Sequence, residues 1–276
     1  MHTYTLNDGH ILPALGFGTY KLNGIEGVNA IQNALKVGYR VLDTAYNYEN
    51  EGAVGKAIER SKVAREDITI ISKLPGRYQS YDDVFRTIEE SIYRLGVEYI
   101  DIYLIHWPNP KQGLYVEAWK AMIAAKKAGR IRSIGVCNFL PEYIEELKRV
   151  TGVLPVLNQI ELHPYFNQEK IMNYHQQNHI LIQAWSPIGR DNGVMKEPLL
   201  YEIAKKYEKT VAQIILKWHL QRGIMPVPKA TTFSRQVENF QIFDFNISEN
   251  DMSLINELSK TDGRRKGQDP SIYEEF

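Results

Sequence analysis

Ile100-Asp101-Ile102-Tyr103-Leu104-Ile105 is followed by a helical stretch over 115–128 and then by Ile131-Arg132-Ser133-Ile134-Gly135-Val136. The two apolar runs have strand length and are rich in β-branched residues, whereas the stretch between them is long enough for a helix. Strand, helix, strand in that order implies parallel strands, because a parallel crossover needs room that a helix fills. The same unit recurs on both sides. Upstream, Ile68-Thr69-Ile70-Ile71 precedes a helix over 82–95 with Val84, Ile88, Ile92 and Leu95 at helical spacing, and Arg40-Val41-Leu42 precedes a helix over about 51–60. Downstream, Val156-Leu157-Asn158-Gln159 and the stretches 179–184 and 223–227 read as strands with helices between them. A short strand over 14–18 brings the count to eight β/α units. An open doubly wound sheet would share this alternation, but eight units in 276 residues favour a closed (β/α)8 TIM barrel, an α/β fold of typically about 250 residues. Ahead of it, residues 3–12 alternate around Asp8-Gly9 and read as an N-terminal β-hairpin.

No Gly/Ser-rich or Pro-rich linker interrupts the chain, so residues 1–276 read as a single domain. The formal net charge is zero, which gives no basic footprint for nucleic acid and no polybasic run for a membrane surface. No apolar run approaches the 18 or so residues of a spanning helix, and residues 1–10 lack the apolar centre of a signal peptide. The single cysteine, Cys137, excludes an internal disulfide and a thiolate-rich metal site. These features suit a cytoplasmic protein, and a monomer is the default expectation.

In a barrel, chemistry sits where strands end in βα loops. Asp43, Lys73 and His106 each stand at or just past a strand end, and Tyr48 lies in the loop beyond Asp43. Singly, such residues are usually a turn former, a solvated lysine, a structural histidine and a packing aromatic. Together they point into one mouth from three consecutive strands, which favours a functional cluster.

The motifs around them resemble the aldo-keto reductases. The similarity is carried by Gly16-Phe17-Gly18-Thr19-Tyr20, Gly38-Tyr39-Arg40-Val41-Leu42-Asp43-Thr44-Ala45 and Asp101-Ile102-Tyr103-Leu104-Ile105-His106-Trp107-Pro108. Gly135-Val136-Cys137-Asn138-Phe139, Asn158-Gln159-Ile160-Glu161-Leu162-His163-Pro164 and Arg235-Gln236-Val237-Glu238-Asn239 continue it in the family's order. It is most similar to the bacterial 2,5-diketo-D-gluconate reductase and glyoxal reductase branch. The resemblance implies NADPH-dependent reduction of aldehydes and small ketones, with Asp43, Tyr48, Lys73 and His106 as a catalytic tetrad. Tyr48 would donate a proton to the carbonyl oxygen. A phenol has an ordinary pKa of about 10, and a lysine cation about 4 Å away at an effective dielectric of about 20 would favour its phenolate by roughly 4 kcal/mol before desolvation. Asp43 would keep Lys73 charged, and His106 would orient the substrate oxygen.

The cofactor comes without a dinucleotide fingerprint, since Gly16-Phe17-Gly18 has no third glycine opening a helix. The resemblance instead implies an extended dinucleotide across the mouth. Asn138 and Gln159 would hold the carboxamide, with Asp43, Gly18 and Thr19 nearby. Trp185 would stack on the nicotinamide, and Ser186, Ile188 and Gly189 would lie near the pyrophosphate. Lys229 and Arg235 would meet the phosphate that distinguishes NADPH from NADH, with Glu238 and Asn239 near the adenine. Tyr20, Tyr48, His106 and Trp107 would contact substrate. Cys137 stands where many relatives have serine, and Ala230 where serine or threonine is common, which puts two cofactor contacts in doubt.

Only residues 108–116 separate Trp107 from the next helix, and the segment after Leu258 is short, so an open mouth suited to α-dicarbonyls and aromatic aldehydes is expected rather than a steroid site. Keto-sugar acids are a further expected class. No metal is expected, and His175 and His179, four apart among polar residues, read as solvent-exposed. The competing function is a cofactor-binding regulatory or redox-sensing subunit, a role the same fold also serves. The complete tetrad argues for the enzyme.

Overall fold

The computed structural model describes residues 2–265 and 267–276. Strands β1 (Thr3–Thr5) and β2 (Ile11–Pro13) pair antiparallel with Tyr4 opposite Leu12, which is the expected hairpin. Eight parallel strands follow: β3 (Phe17–Gly18), β4 (Val41–Asp43), β5 (Thr69–Leu74), β6 (Ile100–Ile105), β7 (Ile131–Cys137), β8 (Leu157–Glu161), β9 (Leu181–Trp185) and β10 (Met225–Pro226). They are hydrogen-bonded in chain order, each to the next. The alternating helices are α1 (Gly24–Val37), α2 (Glu51–Glu59), α3 (Tyr81–Leu95), α4 (Tyr115–Lys127), α5 (Pro141–Thr151) and α6 (Glu169–Gln177). Two helices, α7 (Pro198–Lys206) and α8 (Val211–Gln221), fill the last crossover, and α9 (Phe233–Phe240) and α10 (Glu249–Asn256) follow β10.

Backbone bonds from Gly16 N–H to the Pro226 carbonyl and from Gly18 N–H to the Pro228 carbonyl, both 3.1 Å, join the first strand to the last and close the barrel. Glycine suits this seam. A Cβ on Gly18 would lie 3.0 Å from the Val227 carbonyl oxygen, so the facing backbone would have to give by a few tenths of an ångström.

Side chains alternate between faces along each strand. Outward residues such as Ile70, Leu74, Tyr103 and Ile105 pack with Val84, Ile88, Ile92 and Leu95, the periodic face of α3. Each fully buried side chain of this kind contributes about 1.5–3 kcal/mol. Inward residues Val41, Ile71, Ile102, Leu104, Leu157, Met225 and Val227 fill the barrel, joined by Leu6 and Leu12 of the hairpin, which plugs the N-terminal end. Cys137 belongs to this interior cluster. The next inward positions on β4, β5, β8 and β9 are Asp43, Lys73, Gln159 and Gln183, all buried. Strand alternation alone therefore converts an apolar filling into a polar layer beneath the mouth.

Differences from the sequence reading are local. The ninth strand begins at Leu181 rather than at position 179, because His179 takes a left-handed φ of 54° after α6. The last strand is confined to Met225–Pro226. One histidine assignment is corrected. His175 is buried on α6, with Nε2 2.9 Å from Asn158 Nδ2 and Nδ1 2.7 Å from the Ile171 carbonyl oxygen, while His179 is exposed. Burial lowers the His175 imidazole to about 4. The polar neighbours Gln176, Gln177 and Asn178 occupy other faces of the helix, so their polarity said nothing about position 175.

Among the described residues, no helix is long and apolar enough to cross a membrane, and no group of three or more His, Cys, Asp and Glu is arranged to hold a metal.

Candidate active site

Asp43 ends β4 on the inward register of Val41, and Lys73 follows Ile71 by the same rule on β5. Lys73 Nζ donates to Asp43 Oδ1 and to the Thr44 carbonyl, both at 2.7 Å. Removing two charges from water is costly unless remaining lone pairs are satisfied. The second Asp43 oxygen accepts from Gln159 Nε2 at 2.6 Å, and the same amide nitrogen donates to Gln183 Oε1 at 2.6 Å. Burial disfavours the Lys73 cation, but Asp43, then Tyr48, outweigh it and hold the ammonium above its ordinary range.

Tyr48 closes a single helical turn, Tyr46–Tyr48, which carries the chain from β4 over the mouth. Lys73 Nζ lies 5.0 Å from the Tyr48 ring centroid. Tyr48 is half-buried and lines the cleft described below; burial pushes the phenol up to about 12, against the opposing pull of Lys73. The expected phenol drawn down by lysine is thus reversed in the net effect, because the loss of water around the hydroxyl outweighs the attraction of the cation. Tyr48 holds its proton at neutral pH, as a donor must.

His106 extends β6, its N–H bonded to the Leu74 carbonyl at 3.0 Å. Its ring lies 5.9 Å from that of Tyr48, at 74°. Asn138, with φ of 60°, donates from Nδ2 to the His106 carbonyl at 3.1 Å and accepts from Trp185 Nε1 at 2.8 Å. One amide thus links three strand ends.

These groups surround a cleft of about 570 Å³. Gly18, Thr19, Tyr20, Asp43, Tyr48, His106, Trp107, Asn138, Gln159, Trp185, Ser186, Ile188 and Lys229 line it. Lys73 lies beneath, reaching the cleft through Asp43 and Tyr48. Gly189 lines a neighbouring hollow of about 440 Å³, on the other side of the Ser186–Arg190 loop. Arg235, Glu238 and Asn239 stand on α9 outside the cleft walls: Arg235 is exposed, Asn239 is buried, and Glu238 Oε1 accepts from Thr210 Oγ1 at 2.7 Å. Cys137 lies wholly buried below the mouth, where burial pushes its thiol well up. Ala230 is buried, with its carbonyl accepting from Gln236 Nε2 at 3.1 Å, and Lys229 Nζ donates instead to Thr231 Oγ1 at 2.9 Å.

Several lining residues were not anticipated. Lys21 and Arg190 join Lys229 at one rim, and Lys229 is shifted down by burial and then by the repulsion of Arg190 and Lys21. Both newcomers also lie over the Tyr20 ring, at 5.6 and 5.0 Å. Lys21 was within reach of a sequence reading, since it closely follows the first strand's end. Arg190 was not, because only the turn after β9 aims it. The segment 267–276 also returns over the mouth: Gln268, Tyr273 and Glu275 line the cleft, with the Tyr273 ring 4.3 Å from that of Trp107. The mouth expected to stay open beside the short segment after Leu258 is therefore narrowed, since that segment forms one wall.

The aldo/keto reductase family model matches residues 14–260. The 2,5-diketo-D-gluconic acid reductase B of Corynebacterium sp. is 43% identical over 274 residues, covering 99% of this chain and 98% of that protein. The methylglyoxal reductase DkgA of Salmonella typhimurium is 43% identical over 272 residues, covering 97% and 96%. Among solved structures, a mutant of Gox0644 in complex with NADPH superposes with a TM-score of 0.94 at 39% identity, covering 99% of this chain and 98% of that one. A family match across most of the chain, near full-length relatives and a shared fold agree with the strand-end residues described above: the chain belongs to the aldo/keto reductase family.

Proposed function

We propose that the protein reduces small activated carbonyls, such as α-dicarbonyls and aromatic aldehydes, to alcohols with NADPH, and that Tyr48 donates the proton. The observation that carries this reading is the buried Lys73–Asp43 pair at 2.7 Å, set beneath a protonated phenol with the His106 ring 5.9 Å away.

The residues present fit NADPH. Lys21, Arg190 and Lys229 share one rim, where the Lys229 cation is disfavoured first by burial and then by the repulsion of Arg190 and Lys21. A pyrophosphate or phosphate would relieve that repulsion. Trp185 is fixed by its bond to Asn138 and lines the same cleft. NADPH supplies the hydride when bound. Tyr48 gives its proton to the carbonyl oxygen as negative charge develops there. Lys73 stabilises the phenolate left behind, and Asp43, braced by Gln159, keeps Lys73 charged and aimed. His106 contacts the same oxygen and orients it. Tyr20, Trp107 and Tyr273 line the cleft with aromatic surface suited to small planar substrates.

Names of relatives add support for the substrate class, since one is a methylglyoxal reductase and another a diketogluconic acid reductase. The test is steady-state NADPH consumption with phenylglyoxal or 4-nitrobenzaldehyde. Sustained turnover is expected. Tight NADPH binding without turnover would return the sensor reading.

A further inference from the structure

Beyond Cys137 the strand β7 leaves the sheet, and the next peptide groups must find partners outside the ladder. The Asn138 N–H still reaches the Gln159 carbonyl, at 2.9 Å, and the chain then turns through the left-handed φ of 60°. Both backbone groups of Phe139 are taken up by one side chain on β8. Asn158 Oδ1 accepts from the Phe139 N–H at 3.3 Å, and Asn158 Nδ2 donates to the Phe139 carbonyl at 2.8 Å. Asn158 stands between inward Leu157 and Gln159, so strand alternation turns it outward, towards α6. There its Nδ2 meets His175 Nε2 at 2.9 Å, while His175 Nδ1 lies 2.7 Å from the Ile171 carbonyl oxygen. A carbonyl can only accept, so Nδ1 carries the ring hydrogen and Nε2 presents its lone pair to the amide. The two hydrogens of Asn158 Nδ2 are thereby committed to Phe139 and His175, and the Asn158 oxygen faces the Phe139 N–H. Asn158, His175 and Phe139 are all buried.

We infer that Asn158, oriented by His175, is a positioning residue for the nicotinamide end of the cofactor: by holding Phe139 on both backbone groups it fixes the turn that aims the Asn138 amide. This rests on the proposed contact of Asn138 and Gln159 with the cofactor's carboxamide for the ligand, though not for the clamp itself. The Asn138 amide is half used within the protein, since Oδ1 accepts from Trp185 Nε1 at 2.8 Å and Nδ2 donates to the His106 carbonyl at 3.1 Å. One Nδ2 hydrogen and one Oδ1 lone pair remain to meet the oxygen and the NH2 of a carboxamide. Their aim depends on the left-handed backbone at Asn138, a conformation that asparagine tolerates and that its surroundings must hold. The Phe139 ring gives the clamp a firm seat, 5.7 Å from the Tyr115 ring and 6.1 Å from the Tyr143 ring. The same stretch of β8 thus carries the clamp on its outer face and Gln159 on its inner one.

The test compares NADPH with 2′-phospho-ADP-ribose, which keeps the phosphates and adenine and lacks only the nicotinamide. Asn158→Asp keeps the shape of the side chain but has no hydrogens for the Phe139 carbonyl or for His175 Nε2. Fluorescence titration should show NADPH bound about tenfold more weakly, the usual effect of one lost hydrogen bond, with affinity for the fragment within about twofold of wild type. The kcat for phenylglyoxal should fall about tenfold to hundredfold as the ring loses its aim. His175→Leu should show the same pattern in smaller measure, and His175→Gln, whose side-chain oxygen can accept, should restore it. In the unliganded protein the Trp185 indole N–H reports the Asn138 amide directly, and its proton NMR shift should move in Asn158→Asp. Equal losses for NADPH and the fragment overturn the proposal, as does an unmoved indole signal. So does lowered thermal stability with cofactor binding and kcat unchanged, which would make the clamp a support of the fold only. Should Asn158→Asp fail to fold, His175→Leu decides by the same comparison. A parallel Asn138→Ala variant that kept the full preference for NADPH over the fragment would instead refute the proposed carboxamide contact, leaving the indole signal to decide the clamp.

Discussion

Residue by residue, the site depends on charges placed where water is absent. Asp43 and Lys73 neutralise each other, so removing either side leaves the other exposed to the full cost of burial. Asp43→Asn should destabilise the fold by about 3–5 kcal/mol, the usual effect of stranding a buried charge, and urea unfolding measures it. A loss below about 1 kcal/mol would mean that Lys73 escapes to water. The phenol gives a pH prediction whose sign follows from its proposed role. A proton donor is active in its protonated form, and Tyr48 is pushed up to about 12, so its active form extends to higher pH. The kcat for reduction should therefore show no decline due to Tyr48 from about pH 7 to about pH 10. An alkaline fall centred near neutrality would show that the Lys73 pull exceeds burial. Asp43, Tyr48, Lys73 and His106 were legible in the sequence because strand ends in a barrel all open to one mouth. Glu275 was not, because its place depends on a chain reversal through Asn109 and Gly76 that leaves no periodic trace.

Among elements, the alternation of strands and helices was read correctly because each helix fills a crossover, and the face of α3 was legible from its spacing. The strand ends were less so. Leu181 and Met225 open their strands later than the apolar runs suggest, as backbone dihedrals at His179 and Gly223 hold the chain out of the sheet. The same limit hid His175, which ties α6 to Asn158 on β8. Its buried ring is lowered from 6.5 to about 4, so between those values the unfolded chain binds a proton that the folded chain refuses. Stability contributed this way is intact above about pH 6.5 and falls as pH drops towards 4, by up to about 3 kcal/mol. His175→Gln should give a shallower acid slope in unfolding experiments, with the slope from His219, lowered to about 3 by burial, remaining. An unaltered slope would place the proton uptake elsewhere. For α9, the proposed phosphate contact makes Arg235→Ala weaken NADPH binding about tenfold while leaving NADH binding nearly unchanged, as expected for an exposed charge-assisted bond. Equal losses for both cofactors, measured by fluorescence titration, would assign Arg235 to the adenine or the fold.

Across the molecule, a hairpin plug, an apolar barrel filling and a polar layer leave one mouth, walled by Trp107 and Tyr273 on one side and by Lys21, Arg190 and Lys229 on another. In the proposed function, this division would separate a cationic region for the cofactor's phosphates from an aromatic region for the carbonyl. Short planar dicarbonyls should be preferred over ketosteroids in kcat/KM, and a clear steroid preference would require the Trp107–Tyr273 wall to open. The proposed reaction turns on Tyr48 supplying the proton in this mouth. Tyr48→Phe keeps the ring and removes the donor, and the variant is assayed for NADPH-dependent reduction of phenylglyoxal across pH. The expected result is kcat lower by about 10²–10⁴ with NADPH affinity little changed; near-normal turnover across that pH range would contradict it.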